Sequence, residues 1–110
     1  MLVGSVRQLP ICIGDTPALM LGPLTVEPPF RSRGIGQMLI HRALEEARQK
    51  GHALVVLVGD APYYGRLGFR PIPKGMVSMP GPVDPDRLLV CELVEGAFAG
   101  VRGPIRPDWG

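Results

Sequence analysis

No apolar run in this chain approaches the roughly 18 residues that a membrane-spanning helix needs. Nor does the N-terminus carry a charged segment followed by a short apolar one, the pattern of a secretory leader. Both lacks lead to the expectation of a cytoplasmic protein with no membrane partner. Charge of one sign is lacking too: 12 Lys and Arg stand against 10 Asp and Glu, a net charge of +2. That balance gives no ground for a nucleic-acid partner, although it is compatible with a local anion site. Cysteine is scarce. The two present, Cys12 and Cys91, lie far apart in segments that read as strands, so buried thiols are expected rather than a disulfide. No internal repeat is found, and neither the Gly-Lys-Ser/Thr of a P-loop nor the full glycine fingerprint of a dinucleotide fold is present.

What is present fits a single domain over residues 1–110, with 45% apolar and 20% charged residues, an ordinary globular composition. The 15 glycines and 13 prolines gather in loops and in the last third of the chain. One stretch organises the rest: Arg31-Ser32-Arg33-Gly34-Ile35-Gly36, between an apolar strand and an amphipathic helix. A helix start presents unpaired N–H groups and the positive end of the macrodipole. Glycines let that backbone approach a ligand, and arginines add charge and bidentate donors. Such a turn suits a phosphate or pyrophosphate. The bland alternative is that Gly34 and Gly36 merely allow tight helix–strand packing.

In chain order, residues 1–6 and Pro10-Ile11-Cys12-Ile13 are short β-prone runs, Gly14-Asp15-Thr16-Pro17 is a turn, and residues 19–26 form a second strand antiparallel to the first. No strand ahead of this one within the sequence covers its edge, and an open edge invites another chain. The expectation is that a partner, such as a second copy in a homodimer, covers it or that a segment is missing. Pro28-Pro29 ends the second strand. Residues 35–50 form a helix whose buried face is Ile35, Met38, Leu39, Ala43, Leu44 and Ala47, with Gly51 as its stop. His41 and His52 have no partner nearby in sequence and read as structural or solvated. Residues 53–58 are a continuous apolar strand, so strand, helix and strand form a βαβ unit with parallel strands. The phosphate turn then sits at the carboxyl end of the first of these strands, where open α/β sheets place ligands. Asp60 is a candidate N-cap for a short helix, residues 76–79 a short strand, and residues 87–94 the last strand. An extended tail is expected from Gly96 onward.

Two motifs in this order carry a resemblance. Arg31-Ser32-Arg33-Gly34-Ile35-Gly36 resembles the Arg/Gln-x-x-Gly-x-Gly/Ala turn of the GNAT superfamily of N-acetyltransferases, and Tyr64-Gly65-Arg66-Leu67-Gly68-Phe69 its Tyr-x-x-x-Gly-Phe segment. Gly59-Asp60 before Tyr63-Tyr64, with the Pro/Gly-rich end, looks most like the YhbS-like branch. The resemblance implies an α/β, acyl-CoA N-acyltransferase (GNAT) fold, a mixed sheet around a central βαβ unit. It is incomplete here, because the family's first strand, two helices and second strand would precede residues 1–6. It also implies acetyl-CoA as co-substrate and no metal. Backbone amides from Ser32 to Gln37 would hold the pyrophosphate, with Arg31, Ser32, Arg33, Gly34, Ile35, Gly36 and Gln37 forming the turn. Leu24, Thr25 and Val26 would offer strand backbone to the pantetheine arm, in a gap between residues 19–26 and the strand over 53–58.

Tyr64 matches the family's proton donor to the departing thiolate, a phenol with pKa near 10 that stays protonated at neutral pH. A neutral amine would attack the thioester carbonyl directly, with Glu27 as candidate base. The alternative for Glu27 is a surface residue before a proline turn, Asp60 could line the site although a helix N-cap is its expected role, and Tyr64 can be a core aromatic, as Phe69 is expected to be. Two functions stay open: an N-acetyltransferase acting on a small-molecule or protein amine, and a non-catalytic CoA-binding or subunit-pairing module.

Overall fold

A computed structural model of the chain describes residues 4–26, 35–79 and 85–107. Its first hairpin is longer than the local pattern predicts. Strand β1 (Gly4–Ile13) pairs antiparallel with β2 (Thr16–Val26) around the turn Gly14-Asp15. Polar Gln8 and exposed Leu9 join the ladder opposite Leu21 and Met20, so the two short runs expected from the sequence are one strand. Thr16 and Pro17, read as turn, already belong to β2. Gly14 turns with φ at 58°, and its N–H donates to the Pro104 carbonyl at 3.0 Å. A Cβ there would strike the backbone carbonyl of Arg102, so only glycine fits.

Helix α1 (Ile35–Gln49) follows, then β3 (Leu54–Val58). The helix stops in a Schellman arrangement: Gly51, at φ 88°, donates to Arg48 O at 3.1 Å, and His52 donates to Ala47 O at 3.0 Å. Its buried face is Ile40, Ala43, Leu44 and Ala47, with Ile40 only 1% exposed. Met38, expected in that face, is 63% exposed, and Leu39 is half-buried. Successive residues are 100° apart on a helix. The 40–43–44–47 stripe therefore turns Met38 away from the sheet. On the solvent side Arg48 pairs with Glu45 at 3.2 Å.

The chain continues through α2 (Ala61–Gly65), β4 (Arg70–Pro71), β5 (Val77–Ser78), a 3₁₀ turn (Pro85–Arg87), β6 (Leu88–Glu92) and β7 (Gly103–Pro107). The seven strands form one mixed sheet in the order β4-β6-β3-β2-β1-β7-β5. β2 and β3 are parallel, Leu19 to Leu21 beside Val55 to Leu57, which is the expected βαβ unit. β6 runs antiparallel to β3 along its whole length. Residues alternate between two cores. Val55, Leu57, Leu89 and Cys91 face α1, with Leu67 and Phe69. Leu54, Val56, Leu88 and Val90 face Phe98, Val101 and Ile105 on the other side.

The expected extended tail is corrected: Gly103–Pro107 is a strand on the edge of β1, Ile105 beside Ile13 and Arg106 beside Cys12. Ile105, 5% exposed, anchors it in the second core. The edge of β1 is thus covered at Ile11, Cys12 and Ile13, while residues 4–10 pair with no second strand among the described residues. Cys12 and Cys91 are both free, Cys91 buried and Cys12 half-buried. With β3 and β2 between their strands they lie about 14 Å apart at strand spacing, too far for a disulfide.

Candidate active site

Two successive residues in β2, Gly22 and Pro23, decide the shape of the site. Val6 of β1 faces Leu24 and Gln8 faces Leu21, so two residues of β2 stand against Arg7 alone. This is a β-bulge, which bends a strand and raises its local twist. Both residues suit it. Gly22 holds φ at 139°, a region L side chains rarely adopt, and Pro23 has no N–H for a ladder.

The parallel ladder with β3 ends at Leu21, beside Leu57, immediately before the bulge. From there β2 runs on to Val26, paired with β1 on one side. Among the described residues no strand pairs with its other side. Leu24, Thr25 and Val26 therefore present an open strand edge at the carboxyl end of the central parallel pair. Extended ligands recognise such an edge through main-chain hydrogen bonds.

Helix α1 starts at Ile35, so Ile35, Gly36 and Gln37 make its first turn, where the amides have no intrahelical acceptor. That turn contains no acidic residue to occupy them. Gln37 is half-buried. Glu27, Arg31, Ser32, Arg33 and Gly34 lie outside the described residues, so the expectations placed on them are carried forward as such.

Tyr64 lies where β3 ends. Asp60 sits at the N-cap of α2 in an extended conformation, but its carboxylate makes no capping bond. Its backbone carbonyl accepts instead, from Tyr63 N–H at 3.1 Å and Tyr64 N–H at 3.0 Å. The turn after α2 closes on the Tyr64 carbonyl, which accepts from Leu67 at 2.9 Å and Phe69 at 3.2 Å. The Tyr64 ring meets Tyr63 edge-on at 4.8 Å and Phe69 at 6.0 Å between centroids. It packs, half-buried, on the α1 side of the sheet against the cluster that holds Leu21 and Leu57. Phe69 is a core aromatic, 4% exposed, as expected.

Burial pushes the Tyr64 phenol up from its ordinary value; Tyr63 adds to this, Arg87 opposes it and Asp60 adds a little more. The group is therefore a proton donor, not an anion, at neutral pH. Among the described residues no three His, Cys, Asp or Glu side chains cluster as a metal site, and no helix is long and apolar enough to cross a membrane.

Sequence reasoning missed two features of this region. Pro23 inside an otherwise continuous strand pattern was the available signal for the bulge. Gly59, buried directly after β3, entered the sequence reading only as part of the Gly59-Asp60 resemblance; its packing role gave no local signal, because the ring it touches lies five residues on and is placed by the fold.

A mixed sheet whose central parallel ladder ends at Leu21 and Leu57 while β2 runs on unpaired on that side, with a crossover helix between the two strands, defines a class of α/β fold. Comparison with known proteins makes the family specific. The family model for the acetyltransferase (GNAT) domain matches residues 2–71, and the chain belongs to that family. It is 29% identical over 83 residues to the uncharacterized N-acetyltransferase YhbS of Escherichia coli (strain K12), which covers 76% of this chain and 50% of that protein. The chain spans about half the length of the curated relatives it matches.

The crystal structure of the Escherichia coli GNAT family N-acetyltransferase YhbS in complex with CoA superposes with a TM-score of 0.87 at 25% identity, covering 97% of this chain and 61% of that one. A GNAT family acetyltransferase from Brucella melitensis in complex with acetyl-CoA gives 0.70 at 25% identity, covering 97% and 59%. The sheet described above is therefore part of the GNAT acyl-CoA N-acyltransferase fold.

Proposed function

We propose that the protein moves an acetyl group from acetyl-CoA to a primary amine of a small-molecule or protein acceptor, by direct attack and in the cytoplasm. The observation that carries this reading is the open edge of β2 beyond Leu21, with Tyr64 packed at the end of the neighbouring strand β3. The two relatives solved with CoA and acetyl-CoA support it.

In this reading the amides from Ser32 to Gln37 hold the pyrophosphate, and the Arg31 and Arg33 guanidiniums add charge. Leu24, Thr25 and Val26 bind the pantetheine arm as an added strand and orient the thioester. A β2 backbone N–H polarises its carbonyl, which matters most where charge develops. Glu27 takes the amine proton, directly or through water. Tyr64 gives its proton to the sulfur as the carbon–sulfur bond breaks, so that CoA leaves as the neutral thiol.

Saturating acetyl-CoA should raise the melting temperature, since a ligand at 100 times its dissociation constant stabilises the folded state by about 2.7 kcal/mol. An unchanged melting temperature removes acetyl-CoA from the protein's function altogether. A second reading, a non-catalytic CoA-binding module that pairs with another copy of the chain, is favoured by the half of β1 over residues 4–10 that β7 leaves unpaired among the described residues. Sedimentation at micromolar concentration separates them: a monomer that turns over acetyl-CoA excludes the pairing module.

A further inference from the structure

Gly59 is buried directly after β3, and its N–H donates to the Arg87 carbonyl at 2.9 Å. Its φ is not positive, unlike that of eight other glycines among the described residues, so its backbone would accept an L side chain. What excludes a side chain is space. A Cβ at Gly59 would lie 2.9 Å from Cδ2 of Tyr64, closer still to Cε2 of the same ring, and 3.1 Å from Cδ1 of Leu57. Ring carbons so near cannot yield as a flexible chain end would. The Cδ2–Cε2 edge of the Tyr64 ring thus occupies the space beside the bare α-carbon of residue 59, directly after β3.

We propose that Gly59 is a positioning residue: by lacking a Cβ it seats the Tyr64 ring at the end of β3 and so fixes where the phenol hydroxyl points. The catalytic value of this seat rests on the reading of Tyr64 as proton donor, while the seat itself does not. The neighbours agree with a constructed position. Tyr63 and Phe69 hold the ring edge-on from two further directions, and the Arg87 backbone fixes Gly59 from behind. The groups facing the phenol are Tyr63 and Asp60 from α2 and its cap, and Arg87 from the 3₁₀ turn.

Two measurements on the full chain test this, and neither needs turnover. The first is a double-mutant cycle of melting temperatures. Gly59→Ala should lower the melting temperature by about 4–8 °C, the response of a small domain to a modest packing clash. In a Tyr64→Ala background the same change should cost almost nothing, because the obstructing ring is gone. An equal cost in both backgrounds overturns the proposal. The second is alkaline spectrophotometric titration after Tyr63→Phe, which leaves Tyr64 as the chain's single tyrosine. Adding Gly59→Ala pushes the ring outward, so its ionisation should move down toward the ordinary tyrosine value. An unmoved titration overturns the proposal.

The catalytic consequence is read with acetyl-CoA and n-butylamine as probes. Gly59→Ala should lower acetyl transfer tenfold or more while the dissociation constant for acetyl-CoA changes less than twofold. Tyr64→Phe with undiminished transfer would sink the proton-donor reading. The cycle and the titration would still decide whether Gly59 seats the ring.

Discussion

Replacing Gly22 by Ala should divide a calculable cost between folding stability and cofactor affinity. Gly22 holds φ at 139°, and nothing stands within 4 Å of where a Cβ would point. The cost is therefore backbone strain alone, about 1–3 kcal/mol for an L residue in a sparsely populated region. Alanine also narrows the unfolded ensemble, which offsets about 0.4–1 kcal/mol. A net loss of about 1–2 kcal/mol remains, and the protein can meet it in two ways.

If the bulge survives under strain, the melting temperature falls, by about 4–8 °C per kcal/mol for a domain of this size, and acetyl-CoA affinity is unchanged. If residue 22 relaxes and the bulge is lost, stability recovers but the open edge of β2 is displaced. Affinity then falls, about tenfold for each 1.4 kcal/mol. Thermal melts of the free protein and calorimetric titration with acetyl-CoA measure both losses, whose sum should be about 1–2 kcal/mol. Gly51 is the control. It has φ at 88°, equally open space, and a place at the far end of α1. Gly51→Ala should lose similar stability and no affinity. Wild-type stability and affinity in Gly22→Ala would refute the claim that this glycine sets the bulge. Equal affinity losses at both positions would refute the link between the bulge and the cofactor.

Tyr64→Phe should lower turnover at least tenfold with acetyl-CoA affinity nearly intact, measured by thiol release and calorimetry; equal loss of both would make Tyr64 structural. Because burial raises the Tyr64 pKa, wild-type turnover should keep its acid up to the ordinary tyrosine value and lose it only above, so the alkaline limb of the pH–rate profile lies above about pH 10. Ile40→Ala should cost about 2–5 kcal/mol in denaturant unfolding, whereas Met38→Ala should stay within about 0.5 kcal/mol, one side chain being 1% and the other 63% exposed. Cys91 also has its pKa raised by burial, with Arg48 opposing and Glu92 adding. The folded chain then holds the thiol proton longer than the unfolded chain, so stability should fall as the pH rises above about 8.5. Cys91→Val should flatten that slope in a series of urea midpoints across pH; an unchanged slope would place its origin elsewhere.

Sequence by itself determined the elements with local causes. The apolar runs over residues 19–21 and 54–57, separated by one fifteen-residue helix, leave little choice but a parallel pair with a crossover. Gly51 could be read as a stop because a helix end needs a residue at positive φ. The turn from Arg31 to Gly36 and the Tyr64 segment carried the family, since each motif is written in consecutive residues.

Only the tertiary structure decided the rest. The choice of Ile40 over Met38 depends on which stripe of α1 meets β2 and β3, and two overlapping stripes are equally periodic. β7 forms from a proline-broken run with one apolar anchor, Ile105, because the distant edge of β1 is there to receive it. The bulge at Gly22-Pro23 is defined only against the partner strand, by counting residues across the ladder. Gly59 matters because a ring five positions later folds back over it. In each case the deciding contact joins groups that the chain brings together only by folding, so no local pattern of residues could record it.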